Sequence, residues 1–178
     1  MYDIIAQALG ILGMTMNILS YQGTSQRSVI LMQMIGSAFF TASMFMLAAW
    51  SGFILNALGI LRAIVYANKD KFRNMKLWNT VFFVCYGLSY LSVFTVFQTP
   101  ITLWRLILEM LPTSAMVVST IAFSRKDAAT IRKFAWYVSP AWLVYDAISL
   151  SIGGTICETI SIISILTATL RLDRKKRN

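Results

Sequence analysis

The sequence predicts an all-α integral membrane protein, with seven transmembrane helices arranged as two parallel three-helix repeats around a linker helix. Three observations carry this expectation. Of 178 residues, 57% are apolar and only 13% charged, with a mean hydropathy of +0.66, whereas ordinary soluble domains carry roughly 25% charge. The apolar residues gather in seven runs, with the cations in blocks between alternate runs. The second half of the chain also repeats the layout of the first at a constant offset.

The runs are Ile4 to Tyr21, Val29 to Ala49, Gly52 to Tyr66, Leu77 to Phe97, Ile101 to Phe123, Phe134 to Leu150 and Thr155 to Leu170. Most approach the roughly 20 residues that cross a hydrocarbon layer, and the third and last are shorter, which predicts little tilt or a thinner layer. Lipid offers backbone groups no partners, so each run is expected to be helical. Very short connectors, Ala49 to Ser51 and Gly153-Gly154, make the helices that they join antiparallel neighbours. The start Met1-Tyr2-Asp3 carries no basic residue, and no cleavable signal is predicted there.

Orientation follows from charge. Arg27 follows the first run. Lys69, Lys71, Arg73 and Lys76 follow the third; Arg125, Lys126, Arg132 and Lys133 follow the fifth; and Arg171, Arg174, Lys175, Lys176 and Arg177 follow the seventh. The opposite connectors carry none. The positive-inside rule then places the N-terminus outside and the C-terminus in the cytoplasm of a multi-pass inner-membrane protein. The net charge of +9 is thus spent on topology and on anionic lipid head groups, and no nucleic-acid partner is predicted.

An offset of 102 residues brings the first, second and third runs onto the fifth, sixth and seventh without a gap: Gly52 onto Gly154, Asn56 onto Glu158, Ser37 onto Ser139 and Met14 onto Met116. The fourth run is left over. This divides the chain into a repeat over 1–72, a linker helix over 73–99 and a second repeat with its basic tail over 100–178, related by an axis along the membrane normal.

The stretches LGILGMTMNILSYQGTSQRS and WSGFILNALGILRAIVYANKDK resemble the YgjV family of bacterial inner-membrane proteins. The resemblance covers the first repeat well and the second weakly. The three-one-three arrangement is similar, more distantly, to the sugar-transporter (SWEET) and PQ-loop superfamily. There, the first helix of a repeat ends in Pro-Gln; here the matching positions are Tyr21-Gln22 and Phe123-Ser124, and Pro112 and Pro140 match Gly10 and Ala38. That similarity implies a substrate site between the third helices of the two repeats, at Asn56 and Glu158.

Charges inside spans cost at least about 2.5 to 3.5 kcal/mol and mark candidate sites. Arg105 and Glu109, four residues apart, are expected to pair with each other. Asp146 and Glu158 are either exposed acids of an outer vestibule or members of the site, and Arg62 either snorkels to head groups or faces a ligand. Gln33, Ser37 and Thr41 recur at helical spacing, as do Ser139, Trp142 and Asp146, a pattern that also serves simple helix packing. Trp50, Trp104 and Trp136 are expected as interfacial anchors. Trp142, opposite Phe40 by the offset, is placed to stack on a ring-bearing ligand.

The predicted function is a small-molecule carrier whose site is formed by Asn56, Glu158, Arg62, Asp146 and Trp142. Mixed charges suit a polar, zwitterionic or ring-bearing solute better than a neutral sugar. Glu158 and Asp146 are the candidate proton carriers, as intramembrane acids commonly are. The alternative is a non-transporting module of the same fold: a receptor, chaperone or complex subunit. An intramembrane enzyme is not expected. Histidine is absent, no nucleophile elbow is visible, and Cys85 and Cys157 lack metal-site spacing, so no metal or cofactor is implied. The expected partners are the lipid bilayer, a polar small-molecule substrate and, as a homo-oligomer, further copies of the chain.

Overall fold

The computed structural model describes residues 2–46, 50–72, 74–96, 98–125, 127–148 and 152–173. Seven α-helices follow one another: α1 Tyr2–Ser20, α2 Gln26–Met46, α3 Trp50–Ala67, α4 Met75–Thr95, α5 Leu103–Ser124, α6 Ala128–Ile148 and α7 Ile152–Ala168, extended by a π-helical turn over Thr169–Asp173. No strand occurs among the described residues.

Side chains with free oxygens set several helix starts. The Asn74 side chain accepts from the Leu77 amide at 3.1 Å and Thr102 from the Arg105 amide at 3.2 Å, each capping an orphan donor of the first turn. Asp127 does the same for Thr130, at 2.6 Å from its amide and 2.8 Å from its hydroxyl. This cap starts α6 at Ala128, ahead of the expected Phe134, and draws Arg132 and Lys133 out of a presumed connector and into a helix. Gly153 and Gly154 likewise belong to the first turn of α7 rather than to a turn between helices. The break before them, like the tight connection after α2, falls outside the described residues.

Helices α1, α2 and α3 pack in sequence, as do α5, α6 and α7, while α4 lies against α3 and α5; α1 meets α7, α2 meets α6 and α3 meets α5. Close approach needs small residues. A Cβ on Gly36 would stand 2.8 Å from the Asn17 Oδ1 and 3.0 Å from the Gly13 carbonyl, so α1 and α2 touch backbone to backbone there. Pro112 and Pro140 sit inside continuous α5 and α6.

The outer surface is apolar. Ile4, Leu88, Val96, Ile101, Leu103 and Ile163 are all at least 60% exposed, which a soluble surface would not sustain and a lipid phase accepts. Helices α2, α4 and α5, and the segment Gly154–Leu172, are long and apolar enough to cross a membrane, and Ile4–Ser20 and Phe53–Ala67 are shorter apolar helices. By this measure α6, with Arg132, Lys133 and Asp146, is not a span. All seven expected helices are thus present, four of them with the length and apolarity of a span.

Inside, one apolar core joins α2 to α6 through Ile30, Tyr66, Phe82, Tyr86, Met116, Phe123 and Ile131. An aromatic ladder runs along α4 from Trp78 to Phe82 to Tyr86, and Tyr66 leans on both Phe82 and Phe123. Its polar ends are satisfied: the Tyr66 hydroxyl donates to Asn79, and Tyr86 shares a hydrogen bond of 3.0 Å with Thr120.

Candidate functional site

A cavity of about 210 Å³ opens between the first three helices and the last three. Its walls include Asn17 and Tyr21 from α1 and its end, Gln33, Ser37, Phe40 and Met44 from α2, and Asn56 and Arg62 from α3. Across from them stand Met116 and Ser119 of α5, Ser139, Trp142 and Asp146 of α6, and Gly154, Cys157 and Glu158 of α7. All five residues singled out in the sequence, Asn56, Glu158, Arg62, Asp146 and Trp142, therefore meet at one place.

Helical periodicity brings them there. Gln33, Ser37, Phe40 and Met44 lie three and four residues apart on α2, as do Ser139, Trp142 and Asp146 on α6, so each set lines one stripe. Thr41 instead turns its hydroxyl back to the Ser37 carbonyl, at 2.7 Å, and does not reach the cavity. Ser139 faces both the Glu158 carboxylate and the Tyr21 hydroxyl, and the Asp146 carboxylate is close enough to Glu158 for their charges to interact. A Cβ on Gly154 would overlap both oxygens of Asp146, so the glycine is what admits that carboxylate between α6 and α7.

Arg62 is only 6% exposed. Its guanidinium lies 4.5 Å from the centre of the Phe123 ring, and Nη1 makes a long bond of 3.4 Å to the Met116 carbonyl. The buried Nε has no partner, and no carboxylate among the described residues pairs with the group. A cation over an aromatic ring gains about 0.5 to 2 kcal/mol, less than the roughly 2.5 to 3.5 kcal/mol that a charge costs inside a membrane. Its local contacts leave Arg62 under-compensated, and Arg62 does not snorkel.

Arg132 is equally buried, at 3%, and differently placed. Nη1 donates to the Gly23 carbonyl at 2.8 Å and to the Tyr21 carbonyl at 3.4 Å, tying α6 to the loop after α1. Hydrogen bonds to a charged group are each worth about 1.5 to 3 kcal/mol, so this arginine is satisfied. It belongs to a set of bonds between the two halves. Gln22 donates to the hydroxyl and carbonyl of Ser164 on α7, at 3.0 and 3.1 Å, and accepts from Arg171 at 3.0 Å. Gln26 donates to the Phe123 carbonyl at 2.6 Å, and Lys69 donates to the Arg125 carbonyl. All of these lie at the end of the bundle that carries the basic connectors.

Between this clasp and the main cavity sits a second chamber of about 30 Å³, which shares Tyr21, Gln33, Ser119 and Val138 with the first and continues to Ile131 and Phe134. It has room for one water. Tyr21, 8% exposed and packed on Ala135 and Ile165, stands where the two meet.

Arg105 and Glu109 approach to 3.7 Å, away from the cavity lining, as their spacing predicted. Trp104 and Trp136 are 57% and 41% exposed, as membrane-facing anchors would be. Cys85 and Cys157 are free thiols. Asn17 was not anticipated in the cavity wall, although an amide inside the first apolar run was a visible signal. Tyr21 was marked only by its match to the Pro-Gln position, and Ser119 and Arg132 gave no signal.

No curated protein matches this chain, and no solved structure does. The family model described as a bacterial inner membrane protein, Imp-YgjV, matches residues 4–176, nearly the whole chain including both sides of the cavity, and the protein belongs to that family of the bacterial inner membrane.

Proposed function

We propose that the protein is a carrier for small polar molecules, built as two parallel three-helix units, 1–72 and 100–178, around the α4 linker, and broadly SWEET-like in architecture. The observation that carries this reading is the polar cavity between the two sets of helices. A module serving only packing or partner contact has no need of such a space, and filling it with apolar side chains would make it more stable. Consecutive packing within each unit, with α4 against both α3 and α5, agrees with the proposed division. The reading assigns binding and passage, not chemistry, to the cavity residues.

In this reading the basic connectors are cytoplasmic and the N-terminus lies outside. The clasp of Arg132, Gln22 and Gln26 then closes the cavity on its cytoplasmic side, with Tyr21 as the plug above it. Alternating access requires the clasp to part. Asn56 and Glu158 hold the solute from the two units, and Glu158 and Asp146 are the carriers for a coupling proton.

Purified protein in liposomes, offered a panel of labelled small metabolites, tests this. Wild type is expected to take up at least one solute, and the double variant Asn56→Ala, Glu158→Ala to lose most of that uptake. Equal rates in the two proteins for every solute would sink the carrier reading in favour of a non-transporting module.

A further inference from the structure

We infer that the cavity is built for a small zwitterion, bound with its anionic group on Arg62 and its cationic group toward Asp146 and Glu158. This rests on the cavity described above as a binding site, but not on whether the ligand is carried across.

The first support is the state of Arg62. It is a cavity-lining cation, 94% removed from solvent by its 6% exposure, whose Nε has no partner and which no carboxylate neutralises among the described residues. Arg132 shows how the same fold satisfies a buried arginine when it is structural, with backbone carbonyls on its guanidinium. Arg62 has instead only long contacts from Nη1 to the Met116 carbonyl, at 3.4 Å, and to its sulfur, at 3.8 Å, and a ring face. A guanidinium left in that condition is a receptor for a carboxylate or similar anion, which it holds in a two-pronged geometry.

The second support is the opposite charge in the same cavity. Asp146 and Glu158 both line it, and carboxylates on the wall of a low-dielectric space favour a cationic guest over an anionic one. An anion alone would meet those acids, and a cation or a neutral sugar would leave Arg62 unmatched. Only a ligand that carries both signs answers both walls. Arg62 lies six residues beyond Asn56 on α3, about 9 Å along the helix axis, which sets the anionic end deeper than the amide.

Size narrows the class. A volume of about 210 Å³ equals roughly seven waters and falls below the 300 to 1,000 Å³ typical of pockets for drug-sized ligands. Amino acids and short betaines fit this description, and Trp142 and Phe40 in the wall extend it to those with a flat or quaternary cationic end.

The test is equilibrium binding to the purified full-length chain in detergent, read by thermal shift. The probes are glycine, alanine, proline and glycine betaine, together with propionate, propylamine and glucose. At least one of the four zwitterions is expected to bind about thirtyfold or more tightly than propionate, propylamine and glucose, since losing one partner of a buried charge pair costs about that much. Arg62→Gln should remove this preference, while Arg62→Lys, which keeps the charge, should retain part of it; Arg105→Gln, outside the cavity, should leave it intact. Glucose or propylamine binding as well as the best zwitterion overturns the inference, as does a panel with no binder, or an unchanged preference in Arg62→Gln. If Arg62→Gln does not fold, the ranking of probes on wild type decides by itself. A zwitterion that binds but is not taken up into liposomes refutes the carrier reading and leaves this one standing. Uptake of a neutral solute that is indifferent to Arg62→Gln does the reverse.

Discussion

Arg62 and Arg132 are the same side chain in two conditions, and the contrast shows how far a sequence goes at the scale of one residue. Both are buried in the helical bundle, at 6% and 3% exposure. Arg62 stood out in the sequence because it interrupts an apolar run. Arg132 did not, because it shares a block of cations with Arg125, Lys126 and Lys133, and only the Asp127 cap reveals that a helix has already begun. Asn56 and Glu158 drew attention through the offset of 102 residues and the resemblance to the sugar-transporter superfamily, and Glu158 also as a charge inside an apolar run. Gly154 was visible as a glycine but misread as a turn, since its role depends on Asp146 coming across from α6. This last contact gives a direct prediction. In Gly154→Ala the new methyl group overlaps the Asp146 carboxylate on the cavity wall, and overpacking of that kind costs about 1 to 3 kcal/mol where the side chain is held in place. The variant should melt several degrees below wild type in detergent, and Gly154→Ala combined with Asp146→Ala, which removes the obstacle, should recover most of the loss. Equal melting temperatures for wild type and Gly154→Ala would show that the carboxylate is free to move aside.

At the scale of elements, the existence and order of the helices followed from hydropathy, and their ends did not. Caps set the starts of α4, α5 and α6, and caps are single polar residues easily lost among connector residues. The correct start of α6 matters for mechanism, because it places Arg132 where it reaches the Tyr21 and Gly23 carbonyls. In the proposed carrier, helix α6 is thereby the element that holds the basic end shut. The chambers along it run from Asp146 to Ile131, fifteen residues or about 22 Å of rise. Removing the Arg132 bonds should unlatch the inner end of that column. Losing even one charged hydrogen bond of about 1.5 kcal/mol shifts an open-closed equilibrium about tenfold. A cysteine at Ser119, which lines both chambers, in a background of Cys85→Ser and Cys157→Ser, reports this shift. An impermeant thiol reagent applied to the basic side is expected to label it slowly in the parent and about tenfold faster with Arg132→Ala. No change on adding Arg132→Ala would remove Arg132 from the gate and leave it a purely structural tie.

For the whole molecule, membership of an inner-membrane family and an exterior rich in exposed apolar side chains both place the bundle in lipid. How many times the chain crosses turns on α1 and α3, which are apolar but short, and on α6. Length and apolarity pass over it, yet the residues that disqualify it are not lipid-facing charges. Arg132 is buried against backbone carbonyls, and Asp146 lines the cavity. Only Lys133, exposed two turns or less from the helix start, remains, and a lysine there can extend to the head groups. Charges satisfied inside the protein do not oppose insertion as charges facing lipid would. We propose that α6 therefore crosses together with the short apolar α1 and α3, which makes seven crossings and, by the positive-inside rule, puts the termini on opposite sides. Protease added to intact spheroplasts should cut an epitope tag at the N-terminus and spare one at the C-terminus, and inverted vesicles should give the converse. Both tags cut from one side would mean an even number of crossings. Were α6 the helix that lies along the membrane, the cavity, whose wall includes Ser139, Trp142 and Asp146 of α6, could not connect the two faces.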